Sequence, residues 1–145
     1  LADMKPIRRR MRPIRKRKRV NPGALTPWYY EATRHVERVA SGVDAGVDLE
    51  AYNLITLTNV YLVAACLYYD HDSPLISDGA FDALCVYLHD HYDEMVDAGV
   101  YWVGTVIVLQ NLAAGTCVGV EYPKGILDMV DQHLIGAGKM VRNVA

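Results

Sequence analysis

The sequence is poor in phenylalanine, with a single one at Phe81, and its three cysteines are scattered. Cys66, Cys85 and Cys117 form no Cys-x-x-Cys pair and show no metal-ligand spacing. An odd, dispersed set of this kind suits buried thiols in a reducing cytosol better than a disulfide framework. Uninterrupted apolar stretches of the roughly 18 residues that a membrane span needs are also missing. The longest candidate, Val100 to Ala114, is broken by Gly104, Thr105, Gln110 and Asn111. No membrane partner is therefore expected. The basic N-terminal residues are not followed by the apolar core of a secretory signal. They also carry neither the serines nor the helical stripe of a mitochondrial presequence. No glycine-rich phosphate loop or nucleophile elbow is present, and no acid–base pair stands out. The chain is expected not to be an enzyme, with no cofactor and no metal.

Charge is abundant but unevenly placed. Residues 1–23 hold ten of the fifteen Lys and Arg against one acid, Asp3, a net +9. Residues 24–145 hold five against sixteen acids, a net −11. The overall charge of −2 conceals this separation. A two-ended chain either associates with itself or is organised around an anionic partner.

The ten cations are Lys5, Arg8, Arg9, Arg10, Arg12, Arg15, Lys16, Arg17, Lys18 and Arg19. They sit in or beside two seven-residue copies, Lys5-Pro6-Ile7-Arg8-Arg9-Arg10-Met11 and Arg12-Pro13-Ile14-Arg15-Lys16-Arg17-Lys18. Proline in second place biases its predecessor to extended conformations and opposes a helix. Mutual repulsion lengthens the segment further. Each phosphate neutralised by Lys or Arg releases a condensed counterion, so this arm is expected to contact nucleic acid electrostatically, without reading bases. An arm that docks on the acidic body of a neighbouring copy, or a targeting or lipid-binding tail, are the alternatives. Asn21-Pro22-Gly23 marks a turn between the arm, 1–23, and an acidic helical domain, 24–145.

The body reads as all-α, a small bundle of four to five helices behind an extended basic arm. Thr26 as N-cap and Pro27 in the first turn predict a helix to about Ala40, stopped by Gly42. Asp48 is expected to cap a second, with Leu54, Leu57, Tyr61, Ala64 and Tyr68 as one buried stripe. Ser77 is expected to cap a third, with Phe81, Leu84, Leu88, Tyr92 and Met95 inward and Gly99 as its stop. Residues 101–108 are β-branched enough to leave helix and strand open. Leu109, Leu112 and Ala113 extend the run and favour helix. Val118, Val120 and Tyr122 alternate as a lone strand would. Ile126, Met129, Val130 and Leu134 predict a last short helix. Trp28, Tyr29 and Tyr30, with Tyr52 and Tyr61, are expected in the core or at an interface.

Two constellations invite a chemical reading. His89-Asp90-His91-Tyr92-Asp93-Glu94 puts His89 and Asp93 on one helix face, with His91 elsewhere, which defines no metal geometry. The other is Tyr68-Tyr69-Asp70-His71-Asp72-Ser73-Pro74-Leu75-Ile76-Ser77-Asp78-Gly79-Ala80-Phe81-Asp82, followed by Leu84 and Leu88. This segment, within about residues 61–88, resembles the N-terminal helical region of NAD-dependent DNA ligases, whose pattern is Tyr-Tyr-x-x-Asp-x-Pro-x-Ile-Ser-Asp-x-x-Tyr-Asp-x-Leu. The resemblance implies that Tyr68, Tyr69, Asp78 and Asp82 would contact nicotinamide mononucleotide, or that half of NAD. Aromatic faces suit a cationic pyridinium ring. Phe81 stands where the family has Tyr. The family's Lys-x-Asp-Gly motif has no counterpart at Lys124 or Lys139, so the chain resembles a module or split-ligase subunit rather than a ligase. The same residues also make a helical hairpin without any ligand. Small phage proteins carry this motif apart from ligases, which points to a virion component, in the particle or the host cytoplasm, as homo-oligomer or part of a larger assembly.

Overall fold

In the computed structural model, residues 27–98 and 106–140 are described, and they are helical wherever they are regular. The order is α1 (Pro27–Asp44), a 3₁₀ turn (Leu49–Ala51), α2 (Leu54–His71), α3 (Asp78–Asp90), α4 (Tyr92–Asp97), α5 (Val106–Ala114) and α6 (Lys124–Gly136). Thr26 and Gly99, named above as a cap and a stop, lie outside the described residues.

Helix α2 is the centre. Its residues from Leu54 to Tyr69 carry no charge, and thirteen of the eighteen positions in the helix are buried. A helix that is apolar all round has to be surrounded, and α1, α3, α4 and α6 all pack on it. The single stripe read from the sequence is thus only part of its buried surface. Val60, Leu62, Val63, Ala65, Cys66 and Leu67 are buried as well, whereas Leu54 and Tyr68 are half-buried. Despite this apolarity, no helix among the described residues is long and apolar enough to cross a membrane.

Three boundaries differ from the sequence reading. Helix α1 continues through Gly42 to Asp44 and ends at Gly46, whose φ of +86° only glycine adopts freely. Gly46 N–H donates to the Val43 carbonyl (3.1 Å) and Val47 N–H to that of Gly42 (2.9 Å), the paired bonds that close a Schellman motif. Gly115 and Gly138 end α5 and α6 in the same way. Gly42 serves close approach instead, because a Cβ there would overlap the Tyr52 hydroxyl and lie 3.2 Å from Tyr52 Cζ. Asp48 caps the 3₁₀ turn, accepting from Glu50 N–H (3.0 Å), while Asn53 caps α2 through Thr56 N–H (2.7 Å). The third predicted helix divides at His91, whose N–H turns back to the Tyr87 and His89 carbonyls. This division raises the expected four to five helices to six among the described residues.

Ser77 caps α3 as expected, accepting from Ala80 N–H (3.1 Å). Phe81, Leu84, Leu88 and Met95 are buried and Tyr92 is half-buried. Residues 106–114 are helix, and the alternation at Val118, Val120 and Tyr122 is no strand. The Asn111 amide takes the place of a strand partner. Its Nδ2 donates to the Val118 carbonyl (2.9 Å), and its Oδ1 accepts from Val118 N–H (2.7 Å) and the Thr116 hydroxyl (2.7 Å). Side-chain pairing of this kind satisfies backbone groups without a second chain segment. Helix α6 buries Ile126, Met129, Val130 and Leu134, and is tied to α1 by His133 Nδ1 and Glu37 Oε2 at 2.6 Å.

The Gly42–Tyr52 contact has a testable consequence. Alanine in mid-helix gains about 1 kcal/mol over glycine, and a forced overlap costs roughly 1–3 kcal/mol. Gly42→Ala is expected to lower stability by up to about 2 kcal/mol, the overlap offsetting or outweighing the propensity. In a Tyr52→Phe background the same change should be near neutral, as measured by urea unfolding of the four proteins in the cycle.

Candidate functional site

The ligase-like segment is a hairpin joining α2 to α3, and local chemistry builds it. Helix α2 ends with Asp72 in the left-handed region (φ +52°), and the Leu67 carbonyl accepts from both Asp72 and Ser73 N–H. Pro74 follows directly and prevents the helix from resuming. The turn is pinned to α1 by Ser77 N–H donating to Asp44 Oδ1 (2.8 Å). Asp78 then sits in the first turn of α3, where a carboxylate complements the positive end of the helix dipole.

These pieces enclose a cleft. Tyr68, Tyr69 and Ala64 come from α2, Pro74, Leu75 and Ile76 from the turn, and Asp78 and Phe81 from α3. The Tyr68 and Tyr69 rings meet edge to face with centroids 5.0 Å apart, and Phe81 stacks on Tyr61 at 5.6 Å. Three of the four resemblance residues, Tyr68, Tyr69 and Asp78, therefore share a wall. Asp82 is half-buried one turn further along α3 and does not line the cleft. The cavity itself is only about 10 Å³, room for about one water molecule. Small-molecule sites usually offer some 300–1,000 Å³. The cleft thus takes the edge of a flat ring only if Phe81 or the tyrosines swing aside.

The ten arm cations, Lys5 to Arg19, lie outside the described residues. Of the histidine-rich segment, His89 Nδ1 is 3.8 Å from Asp90 Oδ1 on the exposed end of α3, and His91 stacks on Tyr87 at 4.1 Å. Among the described residues no three His, Cys, Asp or Glu side chains converge as a metal site would require.

A second constellation had no signal in the spacing. The three cysteines, remote in sequence, are all buried thiols, and they gather near two tyrosines. The Tyr61 hydroxyl donates to the Thr116 carbonyl at 2.7 Å. Cys66 Sγ faces Asp70 Oδ2 at 3.8 Å. Burial pushes the Cys117 thiol up to about 11, opposed by hydrogen bonding to Tyr61 and Tyr122. Burial likewise raises both tyrosines, with Cys117 the next contributor to each. A thiol held protonated is the opposite of an activated nucleophile. This group is a packed polar seam in the core.

Its pH signature follows from these directions. Between its ordinary value of 9.0 and its folded value of about 11, Cys117 releases its proton only in the unfolded chain. Stability contributed by the buried thiol is therefore complete below pH 9 and declines as pH rises towards 11. The loss should reach about 2–3 kcal/mol, since a tenfold difference in acidity between folded and unfolded chain is worth about 1.4 kcal/mol. Tyr61 and Tyr122, raised in the same direction, extend it further. Urea midpoints from pH 8 to 11 should fall in the native protein, and Cys117→Ala should flatten the onset near pH 9.

No protein-family model matches the chain, and no curated protein or solved structure matches it either.

Proposed function

We propose that the chain is a non-enzymatic assembly protein, a component of a phage particle, whose basic arm contacts nucleic acid while the helical body contacts other subunits. The observation that carries this reading is the segregation of charge: net +9 over residues 1–23, and net −11 over the rest. Ten cations within fifteen residues suit the dense, regular phosphate charge of a duplex. Seven of the ten are arginine, which adds bidentate geometry to phosphate oxygens. No helix or finger motif accompanies these charges in the arm's sequence, so the contact would position and neutralise rather than specify. Many weak arms in one assembly would add up to firm attachment.

A second reading is favoured by one observation, the shared wall of Tyr68, Tyr69 and Asp78. Under it, the body is a nicotinamide-mononucleotide-binding module or the small subunit of a split NAD-dependent ligase. The narrowness of the cleft and the place of Asp82 outside it weigh against this reading.

Each reading has its measurement. A protein engaging roughly 6–10 phosphates loses about 10³–10⁵ in affinity between about 50 and 200 mM salt. The full chain should be retained on duplex DNA with such a dependence, and removal of residues 1–22 should abolish retention. Retention that survives unchanged would overturn the first reading. For the second, nicotinamide mononucleotide or NAD should raise the unfolding midpoint by mass action, and Asp78→Ala/Asp82→Ala should erase the rise. No rise at millimolar ligand would dismiss it.

A further inference from the structure

Between Arg38 and Lys124 the chain contains twelve acids and no Lys or Arg. The described Lys and Arg side chains all belong to α1, α6 and the short stretch after α6. Two of them are already engaged there, Arg34 with Glu37 (3.0 Å) and Lys124 with Asp128 (2.7 Å). The side of the bundle made by the α1–α2 connector, α3 and α4 therefore has carboxylates and no Lys or Arg of its own to balance them. The titratable bases on these elements are His89 and His91.

These carboxylates come from separate segments, and those of the connector and α4 act on one side chain of α3. Asp48 and Glu50 lie in the connector and Glu94 in α4, and all three are exposed. Tyr87 on α3 stands among them: after its burial, Glu50, Glu94 and Asp48 are what raise its hydroxyl. The Tyr87 ring is stacked on His91, which makes an aromatic shelf on the same elements. The same elements and the start of α2 expose apolar side chains. Val47, Ile55, Val86 and Val96 are each 39–46% exposed, four of the six large hydrophobics exposed among the described residues.

We infer that this acidic and aromatic face, formed by the connector, the end of α3 and α4, is a docking surface for the basic segment 5–19 of the chain itself. The fit is one of composition as well as sign. The segment intersperses its cations with Ile7, Met11 and Ile14, and the elements of the face carry exposed valines besides their carboxylates and a ring on which a guanidinium can stack. Reach is ample, since the 26 residues before Pro27 span up to roughly 85 Å when extended. Nucleic acid is repelled by this face, so the face and the nucleic acid compete for one arm. Docking would hold the arm when no nucleic acid is present and release it when phosphate outcompetes carboxylate.

Zero-length carbodiimide cross-linking of the full chain, with mass-spectrometric mapping, tests the docking directly. Links from Lys5, Lys16 and Lys18 are expected on Glu50, Asp93 and Glu94, fading at about 1 M salt, where the Debye length is near 3 Å. No links, or links spread equally over Glu31, Asp72 and Glu121, would overturn the proposal. The competition rests on the nucleic-acid reading above, whereas the cross-links do not. Neutralising the face with Glu50→Gln/Asp93→Asn/Glu94→Gln should tighten duplex DNA binding several-fold at low salt. Glu31→Gln/Asp72→Asn/Glu121→Gln, an equal change of charge elsewhere, should tighten it far less. Equal effects would reduce the result to net charge and overturn the competition. Face-directed cross-links in a chain that binds no DNA would uphold the docking surface and dismiss only the nucleic-acid reading.

Discussion

Burying the central helix α2 on every side is the constraint from which the rest of the architecture follows. Sixteen consecutive residues without a charge, Leu54 to Tyr69, have no face that water tolerates cheaply. One neighbouring helix covers only one side of such a cylinder, so several are required, and α1, α3, α4 and α6 supply them. The short α4 makes sense in this light. After the turn at His91, α4 packs on α2 and α3 and buries Met95 completely.

Surrounding α2 also decides where polar groups have to go. Tyrosines replace phenylalanine almost throughout, and each one brought into the core needs an acceptor for its hydroxyl. Tyr61 meets this need with the Thr116 carbonyl, in a loop that is itself held by Asn111. The irregular stretch after α5 is thus part of the core's hydrogen bonding. It presents a carbonyl inward because the Asn111 amide has bonded the backbone at Val118 and left the Thr116 carbonyl to face Tyr61. The buried thiols lie along the same seam, where a small, weakly polar side chain costs little to bury.

The parts of this fold that could be read from sequence are those fixed by neighbours in the chain. Ser77 as a cap, the inward run Phe81, Leu84 and Leu88, and the last helix are written in spacings of three and four. Gly42 misled because a glycine in a helical pattern signals either an end or a close contact, and only Tyr52, ten residues away, decides between them. The all-round burial of α2 was visible as an absence of charge, but a search for one stripe finds one stripe. The gathering of Cys66, Cys85 and Cys117 had no local trace at all, because it is produced by the packing of α2, α3 and the loop after α5. Of the four residues that the resemblance implies as contacts, the hairpin brings Tyr68, Tyr69 and Asp78 to one cleft and leaves Asp82 outside its lining. Phe81, which lines the cleft, stacks on Tyr61, a contact across 20 residues that no motif encodes.

Charge follows a different logic from the core. Acids on the connector, α3 and α4 do nothing for the packing of α2, and self-repulsion among them works against the compact state. Carboxylates concentrated around Tyr87 without a single Lys or Arg on the same elements are therefore costly to the isolated body. Exposed valines on those elements add surface that water disfavours. Both costs vanish together if a basic, partly apolar segment lies there, and such a segment ends a few residues before α1. The arm and the face then belong to one electrostatic system. On the readings proposed above, its two states would be arm on carboxylate and arm on phosphate, set apart by which polyanion offers the denser charge. A duplex, with one charge per roughly 1.7 Å of axis, would outcompete a patch of a few carboxylates, and salt would weaken both contacts. In such a system the separation of charge along the chain sets which partner the arm holds, and the folded body contributes by carrying one of the two anionic surfaces.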